Sequence, residues 1–423
     1  MIEISGNKIE LRPYQKEAIN AWAENEYRGI LAMATGTGKT IIAIEAIKDF
    51  LSEGNIGLII VPTKTLLKQW YKEIKKYVTN AAIVCCSSDD VGWEEKLERL
   101  IRLHLRQNDA SGSSLFARPK IVITTMGTAW KNEFKEHFKN IPDEDVIVII
   151  DEVHRVGAPR YRAVMLLPFK KRLGLSATPI RDWDYIGTKK IMDYFGGIVY
   201  KYTIPDGIKA GYLVPYEYHV KPVVLTLDEI KKYLEVSEEI RKVVRMILKE
   251  FPGQSIKNLI SMAEELGEYD EEMIMSLQNL LVNRRRIIKK CKNKYDATLD
   301  IIDEYGEIIK SCLIYCEDYK QLDITKKLML DKGLSVGEYT ARLDKDERER
   351  TFDSMKAGHI KFLLSCKCLD EGVDIPACES AILMANSTVE REFIQRRGRV
   401  LRPHPDKKTA IIVKDLNPFS ISL

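Results

Sequence analysis

Residues 30–51 read Ile30-Leu-Ala-Met-Ala-Thr-Gly-Thr-Gly-Lys-Thr-Ile-Ile-Ala-Ile-Glu-Ala-Ile-Lys-Asp-Phe-Leu51. Ile30–Ala32 has the apolar texture of a buried strand, and Ile41–Leu51 has helical spacing. Between them lies a turn with two glycines. Gly36 and Gly38 carry no Cβ, so backbone N–H groups of the turn can point at an anion held at the helix N-terminus. Thr35 and Thr37 belong to the same cradle. Lys39 is placed to reach the β- and γ-phosphates of a bound nucleotide, and Thr40 to ligate Mg²⁺ through its hydroxyl. Met33 stands where the strict G-x-x-x-x-G-K-[ST] pattern has its first glycine.

Outward from this unit the same alternation continues. Ile56–Val61, Ile121–Thr124 and Val146–Ile150 are short apolar runs separated by helix-compatible stretches such as Leu66–Tyr77. Continuous apolar strands alternating with helices predict a buried parallel sheet. Asn108–Pro119 reads as a loop. The third of these strands runs into Asp151-Glu152-Val153-His154. Carboxylates at the C-terminal end of a buried strand lie where open parallel sheets bind ligands. Asp151 suits a hold on Mg²⁺, Glu152 suits activation of the attacking water, and His154 is placed to sense the γ-phosphate. Upstream, Leu11-Arg12-Pro13-Tyr14-Gln15 opens a helix. Gln15 offers a donor and an acceptor to an adenine edge, and Arg12 or Tyr14 is placed to stack on the ring.

Composition bounds the remaining possibilities. A chain of 423 residues with 45% hydrophobic content predicts a globular protein of two or three domains. The net charge is only +4, so any nucleic-acid affinity must come from local basic surfaces. No apolar run approaches the ~18 residues of a membrane span, and Met1–Lys8 lacks a secretory pattern. No membrane partner is expected, and the expected location is the cytoplasm or the nucleoid. The eight cysteines, Cys85, Cys86, Cys291, Cys312, Cys316, Cys366, Cys368 and Cys378, form no C-x-x-C pair and read as free thiols.

From about 225 to 300 the texture becomes charged and helical. Leu227–Phe251 and Glu271–Lys294 carry apolar residues at helical spacing, punctuated by Pro252-Gly253. Beyond 305 the strand-like runs return in Ile308–Tyr315, Phe362–Ser365, Ser380–Met384 and Thr409–Val413, which predicts a second α/β domain. The expected boundaries are therefore 1–222 for the first α/β domain, 223–304 for a helical insertion and 305–423 for the second. Near the C-terminus stands Gln395-Arg-Arg-Gly-Arg-Val-Leu-Arg402. With the cradle at the other end of the chain, these arginines suit a nucleotide clamped between two domains.

In order along the chain, Met33–Thr40, Pro62–Trp70, Thr124–Met126, Asp151–His154, Ser176–Thr178, Leu313–Cys316, Ser365–Asp374 and Gln395–Arg402 resemble the helicase motifs I to VI of superfamily 2. The resemblance covers nearly the whole chain. It is nearest to the XPB-type DNA translocases, through the Asp-Glu-Val-His box, the Leu-Asp-Glu-Gly-Val-Asp-Ile-Pro run and the helical segment before the second domain. It implies two RecA-like parallel-sheet domains with a thumb-like α-helical insertion, and ATP with Mg²⁺ as cofactors. It implies that Arg399 and Arg402 reach the γ-phosphate and stabilise transition-state charge. Gln395 would contact the nucleotide or the attacking water, and Gly372 and Asp374 the ribose or the domain coupling. Ser176 and Thr178 would couple hydrolysis to the nucleic-acid groove. The family's Arg-Glu-Asp element after motif III is replaced here by Ile180-Arg181-Asp182-Trp183-Asp184, so the resemblance implies translocation and leaves the strand-separating element altered. No N-terminal damage-recognition domain is expected, because the helicase core begins at once.

For nucleic acid, Thr63, Lys64, Gln69, Thr124, Thr125 and Ser365 lie at strand ends or helix starts, where hydroxyls and amides hold phosphates without reading sequence. Arg284, Arg285 and Arg286 are expected to grip the backbone electrostatically. The expected activity is ATP-driven movement on duplex or single-stranded DNA, in repair, recombination or defence. An RNA helicase of the same superfamily, or an ATP-gated clamp that recruits a partner such as a nuclease, stays open at this point.

Overall fold

The apolar runs become strands whose neighbours cover both faces. Seven parallel strands pair among the described residues of the first unit: β1 (Arg28–Met33), β2 (Ile56–Val61), β3 (Ala82–Cys86), β4 (Lys120–Thr125), β5 (Val146–Asp151), β6 (Lys171–Ser176) and β7 (Ile198–Tyr202), in spatial order β3-β4-β2-β5-β6-β1-β7. Every residue of β2, β4 and β5 is buried. Each fully buried Ile or Val side chain stabilises by about 1.5–3 kcal/mol, which fits their places as interior strands, each flanked by a strand on both sides. The computed structural model describes residues 10–109, 118–181, 184–250, 252–253, 256, 271–366, 378–384, 400–401 and 409–416.

The register sets the functional edge. Ala32 pairs with Ser176, Leu175 with Asp151, and Val61 with Thr125. The C-terminal ends of β1, β6, β5, β2 and β4 therefore share one rim, the edge where open α/β sheets hold ligands. Helices build the faces. Pro13–Glu24 begins with Pro at its first position and buries Ala18 and Trp22. Lys64–Tyr77 buries Leu66, Leu67, Trp70 and Ile74 along one stripe, and the Thr63 hydroxyl caps it by accepting from Leu66 N at 3.3 Å.

The second unit holds β8 (Tyr216–Pro222), β9 (Cys312–Cys316), β10 (Val336–Glu338), β11 (Phe362–Cys366), β12 (Ser380–Leu383) and β13 (Ala410–Leu416), all parallel, in order β10-β11-β9-β12-β13-β8. The chain divides into Met1–Asp206 and Gly207–Leu423. That division falls earlier than the expected boundary after residue 222, because Tyr216–Pro222 pairs residue for residue with Ala410–Leu416.

Between residues 223 and 304 the described helices include Leu227–Glu250, Glu271–Lys289 and Asn293–Tyr305. Ile240, Ile247 and Leu277 form a small core of their own. The third helix instead packs Ile301 and Ile302 into the core of the second sheet. The strand expected from Ile308 begins only at Cys312, because Ile308 N and Ile309 N both turn back to Tyr305 O at 3.0 Å. The described cysteines are free thiols. No helix among the described residues is long and apolar enough to cross a membrane.

Candidate functional site

The cradle follows β1. Gly36 and Gly38 adopt φ of 85° and 80°, the left-handed region that glycine enters without a Cβ penalty. Thr37 Oγ1 donates to Ala34 O at 2.7 Å, and Lys39 Nζ donates to Met33 O and Ala34 O at 3.0 and 3.2 Å. The ammonium is thus stored against the loop it would leave for a phosphate. The helix Lys39–Ser52 has no acidic residue in its first turn, so its N-terminal dipole is not neutralised from within. The buried Thr35 hydroxyl has no hydrogen-bond partner among the described residues. An orphaned hydroxyl, an ammonium and unopposed helix N–H groups in one loop fit a nucleotide phosphate. Thr40 sits in the first turn of that helix, the place for a Mg²⁺ ligand.

Gln15 reaches this loop. Its Oε1 accepts from Arg12 N at 2.9 Å and its Nε2 donates to Thr37 O at 3.1 Å. Tyr14 OH donates to the same carbonyl at 2.8 Å, and its ring stacks on Tyr202 at 4.1 Å. Tyr14 is therefore committed to the core, whereas Arg12 is exposed and its Nη1 donates to the Tyr14 hydroxyl at 3.3 Å.

Asp151 ends β5 with only 7% exposure. Its Oδ2 accepts from Trp70 Nε1 at 2.9 Å and its Oδ1 from Glu152 N at 2.9 Å. Burial pushes the Asp151 carboxyl upward, while the Trp70 hydrogen bond, the Lys39 charge and the Glu152 N–H hold it back. Glu152 takes φ 49° and ψ 51°, a strained position for a residue with a side chain. A polar chain leads on from it. Glu152 Oε2 lies 3.4 Å from His154 Nδ1, which lies 3.1 Å from Ser176 Oγ, which accepts from Thr178 N at 3.1 Å. The buried Thr178 hydroxyl has no partner among the described residues. Catalytic and coupling candidates from β5 and β6 are thus joined within one unit.

Farther along the rim the results divide. Thr63, Lys64 and Thr125 line a cavity of about 860 Å³. Lys64 is exposed and paired with Asp89, and Gln69 is half-buried nearby on the same helix. Thr124 does not reach this surface: it is fully buried and donates to Cys86 O at 3.1 Å. In the second unit, Ser365 is fully buried and its hydroxyl has no partner among the described residues. Arg286 is exposed, Arg285 is half-buried and the Arg284 guanidinium lies 5.9 Å from the Tyr233 ring. Gly372, Asp374, Gln395, Arg399 and Arg402 lie outside the described residues, as do Asp182 and Trp183.

Two residues make contacts at the site that their sequence context did not reveal. Trp70 closes the Pro62–Trp70 segment likened to a helicase motif, and its indole N–H donates to Asp151 Oδ2. Arg181 donates to His154 O at 2.7 Å and to Asp184 Oδ2 at 2.6 Å, so it fixes the main chain beneath the histidine. The sequence signal available for the first is an indole, with its N–H donor, among Leu66, Leu67 and Ile74.

Residues 8–181 match the model of the type III restriction enzyme res subunit, and residues 293–404 match the helicase conserved C-terminal domain. Over 414 residues the chain is 28% identical to the DNA 3'-5' translocase XPB2 of Sulfurisphaera tokodaii, covering 96% of this chain and 81% of that protein. It is 25% identical to the DNA 3'-5' helicase XPB of Kineococcus radiotolerans, covering 97% of this chain and 60% of that one. Two solved structures share the fold. The ATP-dependent type ISP restriction-modification enzyme LlaBIII bound to DNA superposes with TM-score 0.61 at 15% identity, over 97% of this chain and 28% of that one. The Pyrococcus furiosus Hef helicase domain superposes with TM-score 0.53 at 17% identity, over 96% and 95%.

Proposed function

We propose, from the premise that this chain belongs to the XPB-like superfamily 2 helicases, that it hydrolyses ATP to move on DNA. The observation that carries this reading is the joining of the phosphate cradle and the acid pair on one sheet rim, with Asp151 tied by Trp70 to a helix that starts at the proposed nucleic-acid surface. Lys39 leaves its carbonyl partners for the β- and γ-phosphates. Thr40 and Asp151 would hold Mg²⁺, which would supply charge neutralisation at the phosphate oxygens. Glu152 orients the attacking water and takes its proton. His154, Ser176 and Thr178 connect that acid to the rest of the rim. Arg12 and Gln15 hold the base.

On the strength of the Gln-Arg-x-Gly-Arg-x-x-Arg pattern, the second unit supplies Arg399 and Arg402 to the transition-state charge and Gln395 to the water, with Gly372 and Asp374 near the ribose. Thr63, Lys64, Gln69, Thr125 and Arg284–Arg286 hold DNA phosphates, while Ser365, as fully buried as Thr124, offers no surface to one; Glu271–Lys289 belongs to the proposed thumb. The proposed setting is the cytoplasm or nucleoid, with any strand cleavage supplied by a nuclease partner in repair or defence.

The test is ATP hydrolysis with duplex DNA, single-stranded DNA and RNA, beside Lys39→Ala and Glu152→Gln. DNA is expected to stimulate turnover most. Both variants are expected to lose it, with Glu152→Gln still binding ATP. Unchanged turnover in either variant, or stimulation by RNA alone, overturns the reading.

A further inference from the structure

The cavity of about 860 Å³ on the rim beyond Asp151 is within the size range of small-molecule and nucleotide sites. Its walls are aromatic as well as polar. Trp93, Trp130, Phe134 and Tyr161 line it, together with Thr63, Thr125 and Thr128. The two indoles are held in place. Trp130 Nε1 donates to Gly127 O at 3.1 Å, and Trp93 packs against Phe134 at 5.9 Å and His137 at 6.0 Å. The Arg160 guanidinium lies 5.8 Å from the Trp130 ring and 5.5 Å from the Tyr161 ring, which extends the stacked surface with a cation.

The charge of the lining decides what enters. Lys64 and Lys131 are balanced by Glu94 and Glu133. A channel for several phosphates would carry a large excess of cations; here the lining charges cancel and Arg160 adds one cation beside them. Its chemistry matches the neutral end of a nucleotide, the base and sugar, with one phosphate at the mouth. The Lys64 ammonium serves that phosphate, because its pairing with Asp89 is between two half-exposed side chains, and such pairs contribute little and exchange readily.

We propose that this cavity receives an unpaired nucleobase, stacked against Trp130 and Trp93, from the strand the protein tracks. The inference rests on the reading that the rim binds DNA, and it adds that the bound strand has at least one base out of the duplex. Stacking on an aromatic ring tolerates every base, so the site grips without reading sequence.

The test compares binding of an oligothymidylate with a fully abasic oligonucleotide of the same length, which keeps the phosphates and removes the bases. The wild-type chain is expected to prefer the oligothymidylate. Trp130→Ala is expected to weaken oligothymidylate binding about fivefold to a hundredfold while abasic binding stays the same, and Trp130→Phe is expected to keep most of the preference. Equal wild-type affinity for the two strands overturns the inference without any variant, as does a Trp130→Ala loss equal on both strands. Both of those results leave DNA binding itself standing. A wild-type chain that binds neither strand nor duplex overturns this inference and the parent reading together.

Discussion

The indole N–H of Trp70 donates to the Asp151 carboxylate at 2.9 Å, and both groups are buried. Trp70 belongs to the helix Lys64–Tyr77, whose first residues line the rim cavity. Asp151 ends β5 beside the cradle. One hydrogen bond therefore links a helix that starts at the proposed nucleic-acid surface to the proposed metal ligand. Trp70→Phe keeps most of the ring and removes the donor. A hydrogen bond to a charged group contributes roughly 1.5–3 kcal/mol, so a tenfold or greater fall in turnover is expected, with a higher Mg²⁺ concentration needed for half-maximal rate. A Mg²⁺ titration of ATPase activity checks this; identical curves for the variant and the wild type contradict it.

Gly38 turns at φ 80°, and a Cβ there would stand 2.7 Å from Gln15 Nε2. Gly38→Ala therefore meets two costs. The left-handed backbone opposes a side chain by about 1–2 kcal/mol, and the new methyl displaces the amide that holds Thr37 O. Nucleotide affinity is expected to fall at least tenfold. Adding Gln15→Ala relieves the contact but also removes the amide proposed to hold the base and leaves the backbone cost, so the double variant is expected to bind no better than Gly38→Ala. Fluorescent nucleotide titration distinguishes the cases, and full recovery would show that φ is of no consequence here.

The cradle and the acid pair were legible because their chemistry demands particular residues at short spacing. β2 was legible to its ends, since all of Ile56–Val61 is apolar and buried. β8 was not. Tyr216–Pro222 alternates tyrosines with charged residues and is mostly exposed, because it occupies the edge of its sheet. With no apolar run to mark it, the boundary was drawn after it rather than before it. β6 opens on Lys171-Arg172 and escaped notice for the same reason. The relationships that organise the site were hidden by distance along the chain. Trp70 and Asp151 stand 81 residues apart, and Arg181 and His154 stand 27 apart. Thr124 shows the converse: its motif position pointed to nucleic acid, whereas its place in the middle of the sheet turns the hydroxyl to Cys86 O.

Arg181 gives the segment 180–184 a second meaning. From sequence it marked the altered strand-separating element. In the structure Arg181 bridges His154 O and Asp184, while Asp184 also accepts from Gly187 N at 2.6 Å and pairs with Arg162 at 3.3 Å. Arg162 in turn donates to Gly157 O at 2.8 Å. The turn after Glu152 is thus fastened at both ends. Arg181→Ala is expected to lower ATPase activity about tenfold or more, from the loss of charge-assisted hydrogen bonds worth roughly 1.5–3 kcal/mol each. Arg181→Lys is expected to fall between, because an ammonium lacks the planar fork that serves both acceptors. Strand displacement should decline in step with hydrolysis. Normal hydrolysis with displacement alone abolished would return Arg181 to the strand-separating role.

Glu338 at the end of β10 gives a pH test confined to the second unit. Burial alone would raise its carboxyl, but hydrogen bonds from Arg342, Thr340 and Lys326 outweigh burial and hold it down to about 2. Arg342 reaches Glu338 Oε1 and Oε2 at 2.5 and 2.7 Å, and Thr340 donates to Oε1 at 2.6 Å. A carboxyl whose pKa is depressed on folding adds stability above its unfolded value of about 4.3. That stability is lost as the pH falls from there through the folded value of about 2. Glu338→Gln removes the charge and leaves the shape, so a loss of roughly 1–3 kcal/mol is expected at pH 7. The difference should narrow steadily as the pH drops below about 4.3. Urea unfolding at pH 7, 4 and 3 measures it. A gap that stays constant across that range would mean that Glu338 stabilises the strand end by packing and shape rather than by charge.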